Sequence, residues 1–234
     1  MSKIYLGLIK LGAKEHMFDL YENGHVYLNT FEYFRIAEVN DDGRADPYEY
    51  ITKYHAGEAM DPLKFVLTAV LNTGEVIKIP LSRSSGVKSI VMNCLEKRYS
   101  HLFCMSLIDK DWITKNGTIL DHRNIAPGKD WMLIVQNIPE FNRRLKLAIA
   151  QQGFGACEAR PIEYINAENY SGEFGCFKKF NAYSYQQEWR LAVNCPNKVV
   201  PQHLYLGSLA DIAVSPFPAE QMYERPVRIV GRSD

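Results

Sequence analysis

Tyr183-Ser184-Tyr185-Gln186-Gln187-Glu188-Trp189-Arg190-Leu191-Ala192-Val193 alternates residue by residue. Tyr183, Tyr185, Trp189, Leu191 and Val193 fall on one side, and Ser184, Gln186, Glu188, Arg190 and Ala192 on the other. A strand with one buried face accounts for this pattern, so the sequence predicts a strand over 183–193 anchored by Tyr185, Trp189 and Leu191. On its polar face Gln186 and Glu188 stand about 6.5–7 Å apart along the strand, close enough for an amide and a carboxylate to meet one ligand, with Arg190 beside them. Two readings follow: cross-strand ion pairs on a solvated sheet face, or a site whose charged groups act on a bound molecule.

Just upstream, Gly172-Glu173-Phe174-Gly175-Cys176-Phe177-Lys178-Lys179-Phe180 mixes glycine, aromatic and basic residues. It reads as a solvated loop or as a contact for phosphate and nucleic-acid backbone. Further back, Trp131 to Gln136 is strand-like, and a helix follows. Asn137 caps it, Glu140 completes a capping box, Phe141, Leu145, Ala148 and Ile149 form the inward stripe, and Gly153 ends it. Arg143, Arg144 and Lys146 lie outside that stripe.

The chain opens as strand (Lys3 to Lys10), helix (Ala13 to Glu22) and strand (His25 to Asn29), with Asn23-Gly24 closing the helix. Beyond it, Tyr27, Asn29, Phe31, Tyr33, Phe34 and Arg35 lead through a short helical turn into the turn-rich stretch from Asn40 to Asp46-Pro47-Tyr48-Glu49. This segment is either an aromatic corner or a pocket lining. Phe65 to Leu71 and Glu75 to Leu81 form a hairpin across Asn72-Thr73-Gly74. Lys88 to Cys94, His101 to Leu107, Ala156 to Ile165, His203 to Leu206, Asp211 to Val214 and Val227 to Val230 supply further strands. Few helices among many short strands, without sustained β-α alternation, predict a single α+β domain over 1–234, built on a curved or split antiparallel sheet.

The 234 residues carry 27 basic and 27 acidic side chains, so no net field draws the chain to nucleic acid or an anionic membrane. Neither a signal segment nor an apolar span is evident, and the expected location is the cytoplasm. Five dispersed cysteines without CxxC read as buried thiols, and no metal is expected. His16 and His101 read as hydrogen-bonded structural groups. Phosphate-binding loops of the G-x-x-x-x-G-K-[ST] and G-x-G-x-x-G types are absent, as is the G-x-S-x-G elbow of serine hydrolases.

The helix-then-strand from Met17 to Asn29, Phe34-Arg35, Asp46-Pro47-Tyr48-Glu49, His101 to Leu107 and Tyr183-x-x-Gln186-x-Glu188-Trp189-Arg190 together resemble the DUF2971-like group of uncharacterised bacterial proteins. The chain also resembles ADP-ribosyltransferases, in which a first strand, helix and second strand precede a late Gln-x-Glu, here Gln186-Gln187-Glu188. Ile4-Tyr5-Leu6 lacks the first-strand Arg or His common there.

The second resemblance implies NAD as substrate and a macromolecular acceptor, in phage defence or a toxin system. Glu188 would be catalytic beside Gln186, and Tyr27, Asn29, Phe34, Arg35, Asp46, Glu49 and Arg190 would contact substrate. A carboxylate near the ribose stabilises the oxocarbenium-like transition state, while the amide orients the acceptor. Two alternatives stand beside it. One is a non-catalytic module binding nucleic acid or protein through Lys178, Lys179, Arg143 and Arg144. The other is a nuclease gathering Asp46, Glu49 and Glu188 around Mg²⁺.

Overall fold

A computed structural model describes residues 4–31, 33–34, 48, 51–57, 66–70, 73–81, 86–92, 98–125 and 128–222. Their architecture is α+β with mainly antiparallel sheets. The described residues group into two compact units, one from segments within 4–34, 98–162 and 184–222, the other from segments within 48–92 and 163–183.

In the first unit, β1 (Tyr5–Gly12), α1 (Lys14–Asn23) and β2 (His25–Thr30) open the chain as expected. The helix stops because Gly24 adopts φ 62° and returns its N–H to the Asp19 carbonyl, a left-handed step that only glycine takes cheaply. A Cβ at Gly24 would also collide with the Gly207 carbonyl. Eight strands form the main sheet. β7 (His101–Asp109) is its spine and pairs with β13 (Glu188–Val193) along Glu188–Ser106 to Val193–His101. β9 (Cys157–Pro161) extends the sheet beyond β13.

The opposite edge of β7 is shared. β1 pairs with its C-terminal half through Ile9–Ser106, and β2 with its N-terminal end through Asn29–Leu102 and Thr30–His101. Between the two the sheet splits. There the Cys104 carbonyl receives the Lys10 ammonium at 2.7 Å, which satisfies a strand acceptor that pairing leaves open. β8 (Trp131–Val135) and β15 (Ala213–Pro218) continue beyond β1, and β14 (Gln202–Tyr205) beyond β2.

One sheet face carries the larger core. Leu8, Val26, Leu28, Phe103, Met105, Leu107, Trp189, Leu191 and Val193 meet Met17 and Leu20 of α1 and the apolar stripe of α3 (Ile138–Gln151). In that stripe Phe141, Leu145 and Ile149 each contribute about 1.5–3 kcal/mol by burial. Asn137 caps α3 by accepting from the Glu140 N–H at 3.1 Å. The Glu140 carboxylate itself turns to Arg143 and Arg144. On the other face a smaller core, Ile9, Ile108, Met132, Ile119 and Leu120, is closed by Ile113 of α2 (Lys110–Asn116).

The second unit places β3 (Lys53–Ala56) between β6 (Ser89–Met92) and β11 (Ser171–Glu173). The expected hairpin is present as β4 (Val66–Val70) and β5 (Val76–Pro80). β10 (Glu163–Ile165) runs parallel to β12 (Lys178–Phe180). Tyr54, Phe174 and Phe180 form its aromatic core.

Two strand expectations are corrected. The strand expected over 183–193 begins only at Glu188, because residues Asn181–Gln186 form 3-10 turns and Gln187 takes φ 46°, a conformation no strand passes through. Tyr185 therefore leaves the core face and stacks under Arg123, 4.1 Å from ring centroid to guanidinium carbon. The run from Ala156 to Ile165 divides at Ile162, whose N–H goes to the Glu188 carbonyl, giving β9 and β10 in different sheets. The expected strand Val227 to Val230 lies outside the described residues.

Candidate functional site: a charged face on the split sheet

Strand alternation from Glu188 onward drives Trp189, Leu191 and Val193 into the larger core and turns Glu188, Arg190 and Ala192 to the opposite face. Glu188 is 6% and Arg190 1% exposed, and Arg190 Nε donates to Glu188 Oε1 at 2.7 Å. This is neither the solvated nor the cross-strand pair that the sequence suggested. It is a desolvated pair within one strand, in which the guanidinium offsets a burial cost of several kcal/mol per isolated charge.

The register fixes the neighbours on this face. Cys104 of β7 and Arg160 of β9 flank Arg190, Ser106 adjoins Glu188, and Leu102 separates Ala192 from Asn29 of β2. Arg160 repeats the local device, donating from Nε to Glu158 Oε1 at 2.7 Å while the Tyr99 hydroxyl donates to Oε2 at 2.8 Å. Two guanidiniums thus stand directly across from each other on β9 and β13, each held by the glutamate two residues before it. Burial first, and the Glu188 carboxylate second, push the Cys104 thiol up to about 12. It stays protonated and is no nucleophile at neutral pH.

Two polar side chains of this sheet carry buried atoms without a hydrogen-bond partner: Gln187, beside Glu188, at both Oε1 and Nε2, and Asn29, two strands away, at its Oδ1. Each such group costs about 1–3 kcal/mol when it has no partner. Gln187 also carries the left-handed φ of 46° next to Glu188. Strain and an unsatisfied amide at one residue are the kind of local cost that functional sites retain. From the pairing register, the Asn29 and Glu188 backbones stand about 16 Å apart on the sheet, taking 3.3 Å per residue and 4.8 Å per strand.

Gln186 lies in the 3-10 segment before the strand, so the spacing that set it beside Glu188 does not apply. Tyr27 stands on the same face of β2 as Asn29 but is 46% exposed. Phe34 is half-buried and meets Tyr33 edge to face. Arg35, Asp46 and Glu49 lie outside the described residues.

Arg143 and Arg144 of α3 are ion-paired with Glu140, and Arg144 is also ion-paired with Asp211 and donates to the Ser208 carbonyl. In the second unit Lys178 meets Glu163 at 3.5 Å, while Lys179 is buried with its ammonium over Tyr183. His101 is fully buried between the Ser100 hydroxyl and the Val200 carbonyl, the structural role expected of it. Cys104 and Cys157 are partly buried thiols, and Cys176 and Cys195 are buried ones. Among the described residues no three His, Cys, Asp or Glu side chains gather closely enough to hold a metal. Nor is any helix there long and apolar enough to cross a membrane.

Sequence reasoning passed over Arg160, Cys104, Lys10 and Gln187. A signal for the first was present: Glu158-Ala159-Arg160 and Glu188-Trp189-Arg190 are the same Glu-x-Arg spacing on two strands that pair. Compared with known protein families, with curated proteins and with solved structures, the chain matches none.

Proposed function

We propose that the Glu188 face is the NAD site of an ADP-ribosyltransferase-like enzyme that modifies a macromolecular acceptor, working in the cytoplasm as part of a defence or toxin system. The observation that carries this reading is the desolvated Glu188 carboxylate held by Arg190 on a sheet face at the split. A carboxylate fixed in low dielectric stabilises positive charge developing at the nicotinamide ribose far better than one in water, because it does not reorganise as the glycosidic bond breaks.

Arg160, directly across from Arg190 on the same face and partly exposed, presents the guanidinium that a pyrophosphate takes. Asn29, with its unsatisfied Oδ1, stands at the far end of a span of about 16 Å, a length that suits a dinucleotide better than a small ligand. Gln186 is not carried into this reading, since the strand does not position it.

Incubation of the purified protein with NAD labelled in its adenylate half and a cell lysate tests it. Label transferred to a macromolecule by the wild type, and lost in a folded Glu188→Gln variant, is the expected result. Absence of both transfer and NAD consumption, or equal transfer by the variant, contradicts it.

A further inference from the structure

Where α1 ends and β2 and β14 run side by side, three side chains outside the site described above form a chain. Asp19 Oδ2 accepts from His25 Nδ1 at 2.5 Å, and His25 Nε2 meets His203 Nδ1 at 2.7 Å. The two ring centroids are 5.0 Å apart with planes 19° from parallel. That separation is about the nitrogen-to-nitrogen distance plus the two ring radii. The rings therefore meet edge to edge in nearly one plane, the geometry of an N–H···N hydrogen bond rather than of a stack.

Proton bookkeeping then fixes the tautomers. With its Nδ1–H given to Asp19, neutral His25 offers the Nε2 lone pair, so His203 must donate from Nδ1, and the lone pair of His203 rests on Nε2. His203 is exposed.

We propose that Asp19, His25 and His203 form a proton relay that makes Nε2 of His203 a solvent-facing general base, able to take a proton from a bound hydroxyl or water molecule. When Nε2 of His203 accepts a proton, its Nδ1 proton passes to His25 Nε2. His203 returns to a neutral imidazole, and the positive charge rests on His25 against the Asp19 carboxylate. No atom is gained or lost beyond the proton taken up. Asp19 and His25 act as positioning residues, and His203 is the group that meets the substrate.

Asp19 is itself anchored. The Asn23 amide donates to its Oδ1 at 2.7 Å, and that bond, followed by the one from His25, holds its carboxyl below the usual range. The groups facing the relay are His16 and Asn23 from α1, Tyr27 from β2 and Tyr205 from β14. The Tyr205 ring lies parallel to His25 at 4.8 Å, and the Tyr27 ring meets His203 edge-on at 5.1 Å. The two tyrosine rings thus flank the two imidazoles, and His203 is exposed. The inference is independent of the NAD reading, since it uses none of the same side chains beyond Tyr27.

Diethyl pyrocarbonate, which acylates a neutral imidazole nitrogen with loss of ethyl carbonate, tests it on the whole protein, the modified histidines being identified by peptide mass. His122 is the internal reference: its side chain is 83% exposed and lies 3.6 Å from the Asp121 carboxylate, with no second imidazole. His203 is expected to react about tenfold faster than His122 across its pH profile, and to fall to the His122 rate in folded Asp19→Asn protein. Equal rates in the wild type, or a His203 rate untouched by Asp19→Asn, overturn the proposal. Should Asp19→Asn not fold, long-range proton–nitrogen NMR of the wild-type histidines decides. Nδ1–H tautomers at both His25 and His203 support the relay, and an Nε2–H tautomer at His203 overturns it.

Discussion

Arg190 is the most telling single residue, a guanidinium 1% exposed whose strand partner Glu188 is buried with it. Removing only the cation with Arg190→Leu leaves a buried carboxylate and is expected to cost about 3–5 kcal/mol, whereas the apolar pair Glu188→Met with Arg190→Leu recovers most of the loss. Urea denaturation of the two variants checks this. Gln187 is the next. Gly at that position removes both the positive-φ strain and the buried amide, so Gln187→Gly is expected to stabilise the fold by about 1 kcal/mol, raising Tm by about 2–4 °C. Cys104, held protonated by burial and Glu188, is expected to resist iodoacetamide in native protein at neutral pH and to react on unfolding, read by intact mass.

Among the elements, periodicity made α1, α3 and most core-facing strands legible, whereas the seven-residue α2 was not foreseen. Asn137, Glu140 and the stripe from Phe141 to Ile149 left little freedom for α3, and Asn23-Gly24 marked the end of α1 because the turn needs a left-handed residue. The start of β13 was not legible. Tyr183 and Tyr185 kept the alternation of a strand while the backbone turned at Gln187, and nothing in the identity of a glutamine announces a positive φ. The short strands β3, β11 and β12 were missed for another reason: each spans three or four residues and is held by pairing across the sequence, which local pattern does not encode. Gly24→Ala tests the turn that seats α1 against the sheet. It meets both the φ penalty and the Gly207 carbonyl, so it is expected to destabilise by clearly more than the roughly 1 kcal/mol of strain alone. Gly74→Ala, with φ 83° and open space around it, pays the strain only, and urea midpoints separate the two.

At the scale of the molecule, the α+β class and the split antiparallel sheet followed from strand number and the missing β-α alternation, while the site was half legible. The alternation that named Glu188 and Arg190 also set them on one face. Their burial, and the second guanidinium opposite, depend on β7 and β9 arriving from elsewhere in the chain. Surface charge contributes a pH dependence of predictable sign. Hydrogen bonds from Arg143 and then Arg144 hold Glu140 at about 2, below its usual 4.5. Folding depresses this pKa, so the stabilisation is present in full above about 4.5 and is lost as pH falls towards about 2. The stability gap between wild type and Glu140→Gln is therefore expected to close across that window in urea titrations.

The buried Glu188 face is proposed to act on NAD rather than only to pack the sheet. Nicotinamide release from NAD by purified protein, measured beside Glu188→Gln with both proteins folded by circular dichroism, tests it most directly. Release by the wild type, falling at least about 100-fold in the variant, is the expected result. No release by the wild type, or the same rate from both proteins, contradicts it.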